Sequence, residues 1–240
     1  MSLFRTLVGI PLDFALPRRC GSCGTVVGKS GHFCAPCWQS LRFLPDFGCL
    51  QCNTPVAIPG GVCAPCMDAP PRHDGVLAAV DYCDVAKSLV FKLKYGRKPA
   101  TSRVMAAFMY RHAQRHPQSL LVPVPLHRSR LWTRGFNQSL SIARSLSRLT
   151  GQEVLPKALE RHKRTAPLEG LGRRERAKEV AGAIRVPEPA KAQIGGHEIL
   201  LVDDVYTTGA TANACAHALK RGGASTVRVI SWARVLMDDA

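Results

Sequence analysis

The sequence predicts an α/β domain, a mainly parallel sheet flanked by helices, preceded by a small cysteine-rich module. Three observations carry that expectation. Eight of the ten cysteines fall into four Cys-x-x-Cys pairs between residues 20 and 66. Beyond residue 75, strand-like and helix-like segments alternate, the pattern of a sheet wound with helices on its faces. The stretch "ILLV", residues 199–202, is apolar at consecutive rather than alternate positions, as a strand covered on both faces must be. The 240 residues exceed the commonest single-domain size, and 46% hydrophobic residues suffice for one substantial core beside a smaller unit. The expected division is 1–70 and 71–240.

At the N-terminus, "SLFRTLVGI" fits a short amphipathic helix docked on the rest of the chain. The neighbouring apolar stretch "LVGIPLDFAL" is broken by Pro11 and Asp13, and no small-residue cleavage site follows it. No run of eighteen apolar residues exists, so the expectation is a soluble cytoplasmic protein without membrane insertion.

The paired cysteines come next. Cys20, Cys23, Cys34 and Cys37 each recur 29 residues later, as Cys49, Cys52, Cys63 and Cys66, and "CAPC" stands in both copies. This is an internal duplication. Two cysteines separated by two residues can turn both thiolates toward one ion, and two such turns complete the tetrahedron zinc accepts. Disulfides are the competing reading, but a reducing cytosol disfavours them; a redox motif needs fewer pairs. Spacing alone permits sequential or interleaved sites, and the duplication favours sequential closure. Four thiolates leave no open position, so two structural zinc ions are expected. Gly24 and Gly48 stand where tight turns are needed. Cys83 and Cys215, outside the repeat, read as small buried residues.

After a linker, "APPRHD" (69–74), strands are expected at Gly75–Tyr82, Leu120–Val124, Gln152–Leu159, Glu198–Val205 and Thr226–Arg234. Helices are expected at Val85–Lys94, Ala100–Arg115, Gln138–Leu149 and Ala212–Arg221. Pro123 and Pro125 break the second strand, and Asn137 is placed to cap the helix that follows. In such sheets ligands gather at the carboxyl ends of strands.

There the sequence reads "ILLVDDVYTTGAT". A turn rich in backbone N–H groups that leads into a helix is a phosphate cradle, with the Thr208 and Thr211 hydroxyls as further donors and Gly209 permitting close approach. Asp203 and Asp204 beside a phosphate need a reason, and sugar hydroxyls supply one, because an ionised carboxylate accepts hydrogen bonds from neighbouring hydroxyls. Magnesium would offset the local negative charge. The residues describe a site for a phosphorylated sugar; the plainer alternative is two acids capping an ordinary turn.

This stretch resembles the phosphoribosyl diphosphate (PRPP) signature of type I phosphoribosyltransferases. The likeness implies that Asp203 and Asp204 hold the ribose hydroxyls and catalyse, that Val205, Tyr206, Thr207, Thr208, Gly209, Ala210 and Thr211 bind PRPP or its phosphate, and that the loop from Thr207 to Thr211 takes the 5-phosphate. Together with "LKYGRKP", "LVPVPLHRSRLWTRGFNQS", "RHKRTAPLEGLGRRERAKEVAGAI" and the tandem Cys-x-x-Cys pairs, the order of elements resembles the ComF family of competence-associated proteins across nearly the whole chain. That family implies a type I phosphoribosyltransferase-like domain at 71–240, with residues 122–134 as the pyrophosphate loop region and residues around 161–176 as a mobile closing segment. Pyrophosphate or nucleic-acid contacts then fall to Lys94, Arg128, Arg130, Arg134, Arg161, Lys163 and Arg164. Leu168 and Glu179 depart from the family pattern, where glutamine and asparagine are expected. Similar blocks occur in amidophosphoribosyltransferases, whose glutaminase part this chain lacks.

The implied activity is PRPP-dependent pentosyl transfer with magnesium. A nitrogen nucleophile attacks the anomeric carbon as pyrophosphate leaves through an oxocarbenium-like state, in the setting of DNA uptake, natural transformation or nucleotide metabolism. His127 and His162 lie beside the basic loops, but neither is singled out as a base.

The charge supports a second class. Residues 92–178 hold 20 Lys and Arg against 4 Glu and no Asp, a surplus equal to the whole chain's net +16. A polyanionic partner or a solvated basic face would each explain it. A non-enzymatic competence factor binding single-stranded DNA along this segment is the alternative, with competence or DNA-processing proteins as further partners. Trp132, Phe136, Phe91 and Tyr95 would offer stacking surfaces, although Phe91 and Tyr95 equally fit a buried helix face. A third reading has PRPP or a nucleotide bound as a signal without turnover.

Overall fold

A computed structural model describes residues 18–28, 33–96, 99–163 and 172–236. The expected N-terminal helix, Leu168 and Arg164 lie outside them. Two short helices, α1 (Ala35–Gln39) and α2 (Ala64–Asp68), belong to the cysteine module. The larger domain runs β1 (Val76–Asp81), α3 (Asp84–Tyr95), α4 (Pro99–Ala113), β2 (Leu120–Pro123), α5 (Arg128–Arg134) and α6 (Gln138–Thr150). It continues through β3 (Glu160–Arg161), α7 (Arg173–Val180), β4 (Ile184–Arg185), α8 (Glu188–Ile194), β5 (Glu198–Tyr206), α9 (Ala210–Arg221) and β6 (Thr226–Arg234).

Four of these strands form one sheet in the order β1-β6-β5-β2, every pair parallel, and β3 and β4 make a separate antiparallel pair. Successive strand residues face opposite sides. Leu200, Val202, Ile230 and Trp232 pack with α3, α4 and α6, while Ile199, Leu201, Val227 and Val229 pack with α8, α9 and the second half of the cysteine module. Both faces being covered is what the unbroken apolar run anticipates.

Four of the five expected strands form. The fifth, Gln152–Leu159, does not: Val154 makes a single parallel bridge to Leu121, and the chain then turns. Pro156 explains the loss, since it offers no N–H to extend the ladder. Residues 128–134, expected as loop, are instead a helix. The side chain of His127 caps it by accepting from Ser129 N at 3.2 Å, and Gly135 ends it in the left-handed conformation, φ +79°. Asn137 caps α6 as expected, its Oδ1 accepting from Leu140 N.

The cysteine module seals the outer edge of β1. Asp81 N donates to Arg42 O at 2.8 Å, Leu44 N donates to Ala79 O, and Arg42 pairs with Asp81 across the same edge. Covering an exposed strand removes a template for mispairing. Rings of Phe33, Trp38 and Phe43 close around Phe108 of α4, which in turn meets Trp232. The linker is fastened as well: Asp74 pairs with Lys220 at 2.7 Å and accepts from Val227 N at 2.8 Å.

Candidate functional site

The cysteines close sequentially. The four sulfurs of Cys20, Cys23, Cys34 and Cys37 lie within 4.8 Å of one another, and so do those of Cys49, Cys52, Cys63 and Cys66. The Sγ atoms of Cys23 and Cys34 are 3.5 Å apart, as are those of Cys52 and Cys63, far beyond a bonded pair at about 2.05 Å. The duplication is visible in the backbone. Cys20 N and Cys49 N donate to Thr25 O and Thr54 O, each at 2.7 Å. Gly24 and Asn53, 29 residues apart, both take positive φ, +83° and +58°.

Chemistry explains why a cation belongs there. Burial, together with hydrogen bonds to its cysteine neighbours, pushes the Cys37 thiol up to about 12, whereas the Thr25 hydroxyl leads the donors that hold Cys23 down at about 6. Crowded thiolates repel, and a divalent ion relieves all four at once. The two tetrads are structural zinc sites, all positions being thiolate. Metal analysis of the purified chain is expected to return two zinc ions per chain, and one or none would contradict this.

At the carboxyl end of β5 the acids separate. The strand continues to Tyr206, so Asp203 and Asp204 stand inside it and point to opposite faces. Asp204 is 4% exposed and pairs with Lys94 of α3 at 2.9 Å. Burial opposes the charge on Lys94, but the Asp204 carboxylate outweighs it and raises the lysine pKa. Asp203 faces a small crevice of about 40 Å³ that it lines with Thr207, Thr208, Gly209, Thr211 and Arg176. Ser139 Oγ donates to Asp203 Oδ1 at 3.1 Å, and Asp204 N does so at 2.9 Å. Burial first, and the charge of Asp204 second, push the Asp203 pKa up to about 8.

The turn ends at Gly209, which is the N-cap of α9 in the left-handed conformation, φ +78°, and α9 has no side-chain cap. The first N–H groups of a helix have no intrahelical partner, so the donors at its start remain for a ligand. The Thr208 hydroxyl is buried without a hydrogen-bond partner among the described residues. Thr207 Oγ1 accepts from Arg176 Nη1 at 3.2 Å, which brings α7 onto the turn. Tyr206 also borders the crevice, with its hydroxyl meeting His73 Nε2 at 3.0 Å and the Arg234 guanidinium 5.0 Å from its ring centre. Val205 packs against the core.

Of the basic residues, Lys94 and Arg161 feel the charge of Asp203, and Arg161 also that of Arg130. Arg128 is exposed and 3.7 Å from Glu160, and Arg134 donates to Gln138 at 2.9 Å while lying over the Tyr95 ring. Arg130 follows Arg128 on α5. Arg161 is buried in β3, where burial lowers its pKa against the pull of Glu179 and Asp203; Lys163 is exposed. Of the aromatics, Trp132 is 90% exposed and Phe91 and Tyr95 are also exposed, so the buried-face alternative for the latter two fails; Phe136 packs against the core.

Sequence reasoning missed His73, Ser139, Arg234 and Asn213, whose Oδ1 accepts from Arg72 N at 2.8 Å behind the turn. It also missed a groove of about 770 Å³ between α7–α8 and α9, with Arg72, Arg185, Lys191 and Arg221 in its walls. No helix of the described residues is long and apolar enough to cross a membrane.

Fold and site together define a class: an α/β protein with a glycine-capped, hydroxyl-rich turn at the carboxyl end of a parallel sheet, carrying two four-cysteine metal modules. Residues 11–67 match the double zinc ribbon domain. The DNA utilization protein YhgH of Escherichia coli K12 is 30% identical over 177 residues, covering 71% of this chain and 76% of that one. Competence protein F of Haemophilus influenzae is 29% identical over 68% of this chain and 74% of its own. For competence protein ComFC of Streptococcus pneumoniae the values are 27%, 65% and 67%. The chain belongs to this ComF family of competence-associated proteins. A glutamine PRPP amidotransferase from B. subtilis aligns with a TM-score of 0.36 and 18% identity over 58% of this chain and 30% of that one, too distant to carry an argument.

Proposed function

We propose that the chain binds PRPP or a related phosphorylated ribose at the carboxyl end of β5. The observation that carries this reading is the uncapped, glycine-started α9 beside a Thr208 hydroxyl that has no partner among the described residues, directly across from Asp203. The 5-phosphate would take the free N–H groups from Thr207 to Thr211, and Asp203 would accept from the ribose hydroxyls. Asp204 is already neutralised by Lys94, so the acids carry little free charge with which to hold a bare cation. Magnesium fits as an ion that arrives on the phosphates of its ligand and uses one carboxylate here. It would neutralise the pyrophosphate as that group leaves. Arg176, already on Thr207, is the residue by which α7 would close the site and exclude water. Transfer of the ribosyl group to a nitrogen nucleophile is the reaction these parts suit.

The names of the relatives, DNA utilization and competence, set the context in DNA uptake. Calorimetric titration with PRPP and magnesium is expected to show one site per chain in the micromolar range. Absence of heat at millimolar PRPP would overturn the reading.

One surface favours a second reading, single-stranded DNA binding. Phe91 and Tyr95 lie exposed with ring centres 4.9 Å apart, Arg134 covers Tyr95, and Trp132 stands free nearby in sequence on α5. Exposed rings with a cation suit base stacking, worth about 1–3 kcal/mol per base. Oligonucleotide affinity is expected to fall steeply with salt, and to drop about tenfold or more in Trp132→Ala with Tyr95→Ala. Affinity unchanged by both salt and substitution would exclude it.

A further inference from the structure

The second zinc ribbon and the phosphate turn share a wall. Arg234, the last residue of β6, is 7% exposed. Its Nη2 donates to Cys52 Sγ at 3.3 Å and to the Thr54 hydroxyl, while Nε and Nη1 have no hydrogen-bond partner among the described residues. The same guanidinium covers the Tyr206 ring. The Tyr206 hydroxyl lies so close to Gly209 that a Cβ there would sit 2.3 Å from it. A cavity of about 540 Å³ runs along this wall, bounded by Cys52, Cys63, Cys66, Tyr206, Thr208 and Arg234.

The chemistry of the chain of contacts is directional. A zinc ion on four thiolates leaves a net negative cluster, and a donated N–H from a cation to such a sulfur is a charge-assisted bond. Metal-ligand partners of this kind set both the affinity of the metal and the orientation of what they touch. When zinc leaves, the Cys52 sulfur is no longer fixed in place, and the guanidinium loses the acceptor that the metal site positions for it. Among the described residues the Arg234 guanidinium is then held only by Thr54 and the ring it covers, and the tyrosine that backs Gly209 loses part of its support.

Among the described residues the first ribbon is joined to the larger domain elsewhere: Lys92 Nζ of α3 donates to the carbonyls of Gly21 and Ser22, Ser88 Oγ donates to Ser22 O, and Phe33 and Trp38 pack on Phe108 of α4. None of these contacts is made to the phosphate turn. Lys92 and Lys94, two positions apart on a helix, do not share a face.

We infer that Arg234 is a positioning residue through which zinc in the second ribbon, and not in the first, holds the phosphate turn in its binding shape. This rests on the reading of that turn as a phosphate site. By linkage the effect is reciprocal, so ligand in the turn must retain zinc in the second ribbon.

The test uses the full-length, zinc-loaded chain, with zinc release to a colorimetric chelator and PRPP affinity measured side by side. In the wild type, saturating PRPP with magnesium is expected to slow release from one of the two sites, and Arg234→Met to abolish that protection. The variant should also release that zinc about 10- to 100-fold faster and bind PRPP at least tenfold more weakly, with Arg234→Lys in between. Cys23→Ser, which empties the first ribbon, should leave PRPP affinity within about threefold, whereas Cys66→Ser should not. If the wild type binds PRPP but zinc release ignores it, the coupling is wrong and the site stands. If the wild type binds no PRPP, the site itself is wrong and the coupling falls with it. Should Arg234→Met fail to fold, protection in the wild type compared with Tyr206→Leu decides the matter.

Discussion

Replacing Asp203 and Asp204 together by asparagine is expected to lower PRPP affinity on the order of 100-fold or more. Hydrogen bonds to a charged acceptor contribute about 1.5–3 kcal/mol each, and Asp203 would lose the two it accepts from the ribose hydroxyls. The single variants should differ, because the acids face opposite ways. Asp204→Asn strands Lys94 without its partner and is expected to cost stability as well as binding. Asp203→Asn should weaken binding while making the free protein more stable at alkaline pH. The sign follows from its pKa, about 8 against about 3.9 in an unfolded chain. The unfolded state gives up this proton first, so stability present at pH 4 is lost as pH rises toward 8, and asparagine removes that slope. PRPP needs the ionised carboxylate, so wild-type affinity should rise with pH, by up to about tenfold per unit, and level off above 8. A flat profile between pH 6 and 8.5 would show that Asp203 does not meet the ligand.

Gly209→Ala is expected to be the most damaging single methyl in the larger domain. An L-residue at φ +78° costs about 1–2 kcal/mol by itself. Here the new Cβ would also lie 2.3 Å from the Tyr206 hydroxyl and 2.9 Å from its ring, and overpacking of that kind costs about 1–3 kcal/mol more. The tyrosine has little freedom to yield, with its hydroxyl on His73 and Arg234 against its ring. Gly151 is the control: the same φ, +78°, with nothing within 4 Å of its added methyl. Thermal denaturation should show Gly209→Ala losing more than Gly151→Ala, and only the former should lose PRPP binding. Equal losses would mean that backbone conformation alone matters at Gly209.

Why was so much of this readable in advance? The sheet was legible because its central strands are buried on both faces, and the tetrads because a 29-residue repeat carries its own spacing. The acids and the turn were legible because they are contiguous. What escaped depends on contacts between distant segments. Tyr206 stands in the motif, but its partners His73 and Arg234 come from the linker and the last strand, and no local pattern pairs them. Lys94 reads in the sequence as a contact to pyrophosphate or nucleic acid, and its pairing with Asp204 shows only once α3 packs beside the strand that carries the acids. The α7 helix, "RRERAKEV", has almost no apolar face, so its charges read as a basic run; its one start signal, Gly172 N donating to Glu175 at 2.8 Å, is easily overlooked.

Backbone amide hydrogen exchange, with and without PRPP and magnesium, tests the site where it is claimed to be. New protection is expected at the amides of residues 207–212, strongest at the first turn of α9, and it should disappear when Asp203 is replaced. Protection confined to the groove walls around Arg185 and Arg221, with residues 207–212 exchanging as before, would contradict it.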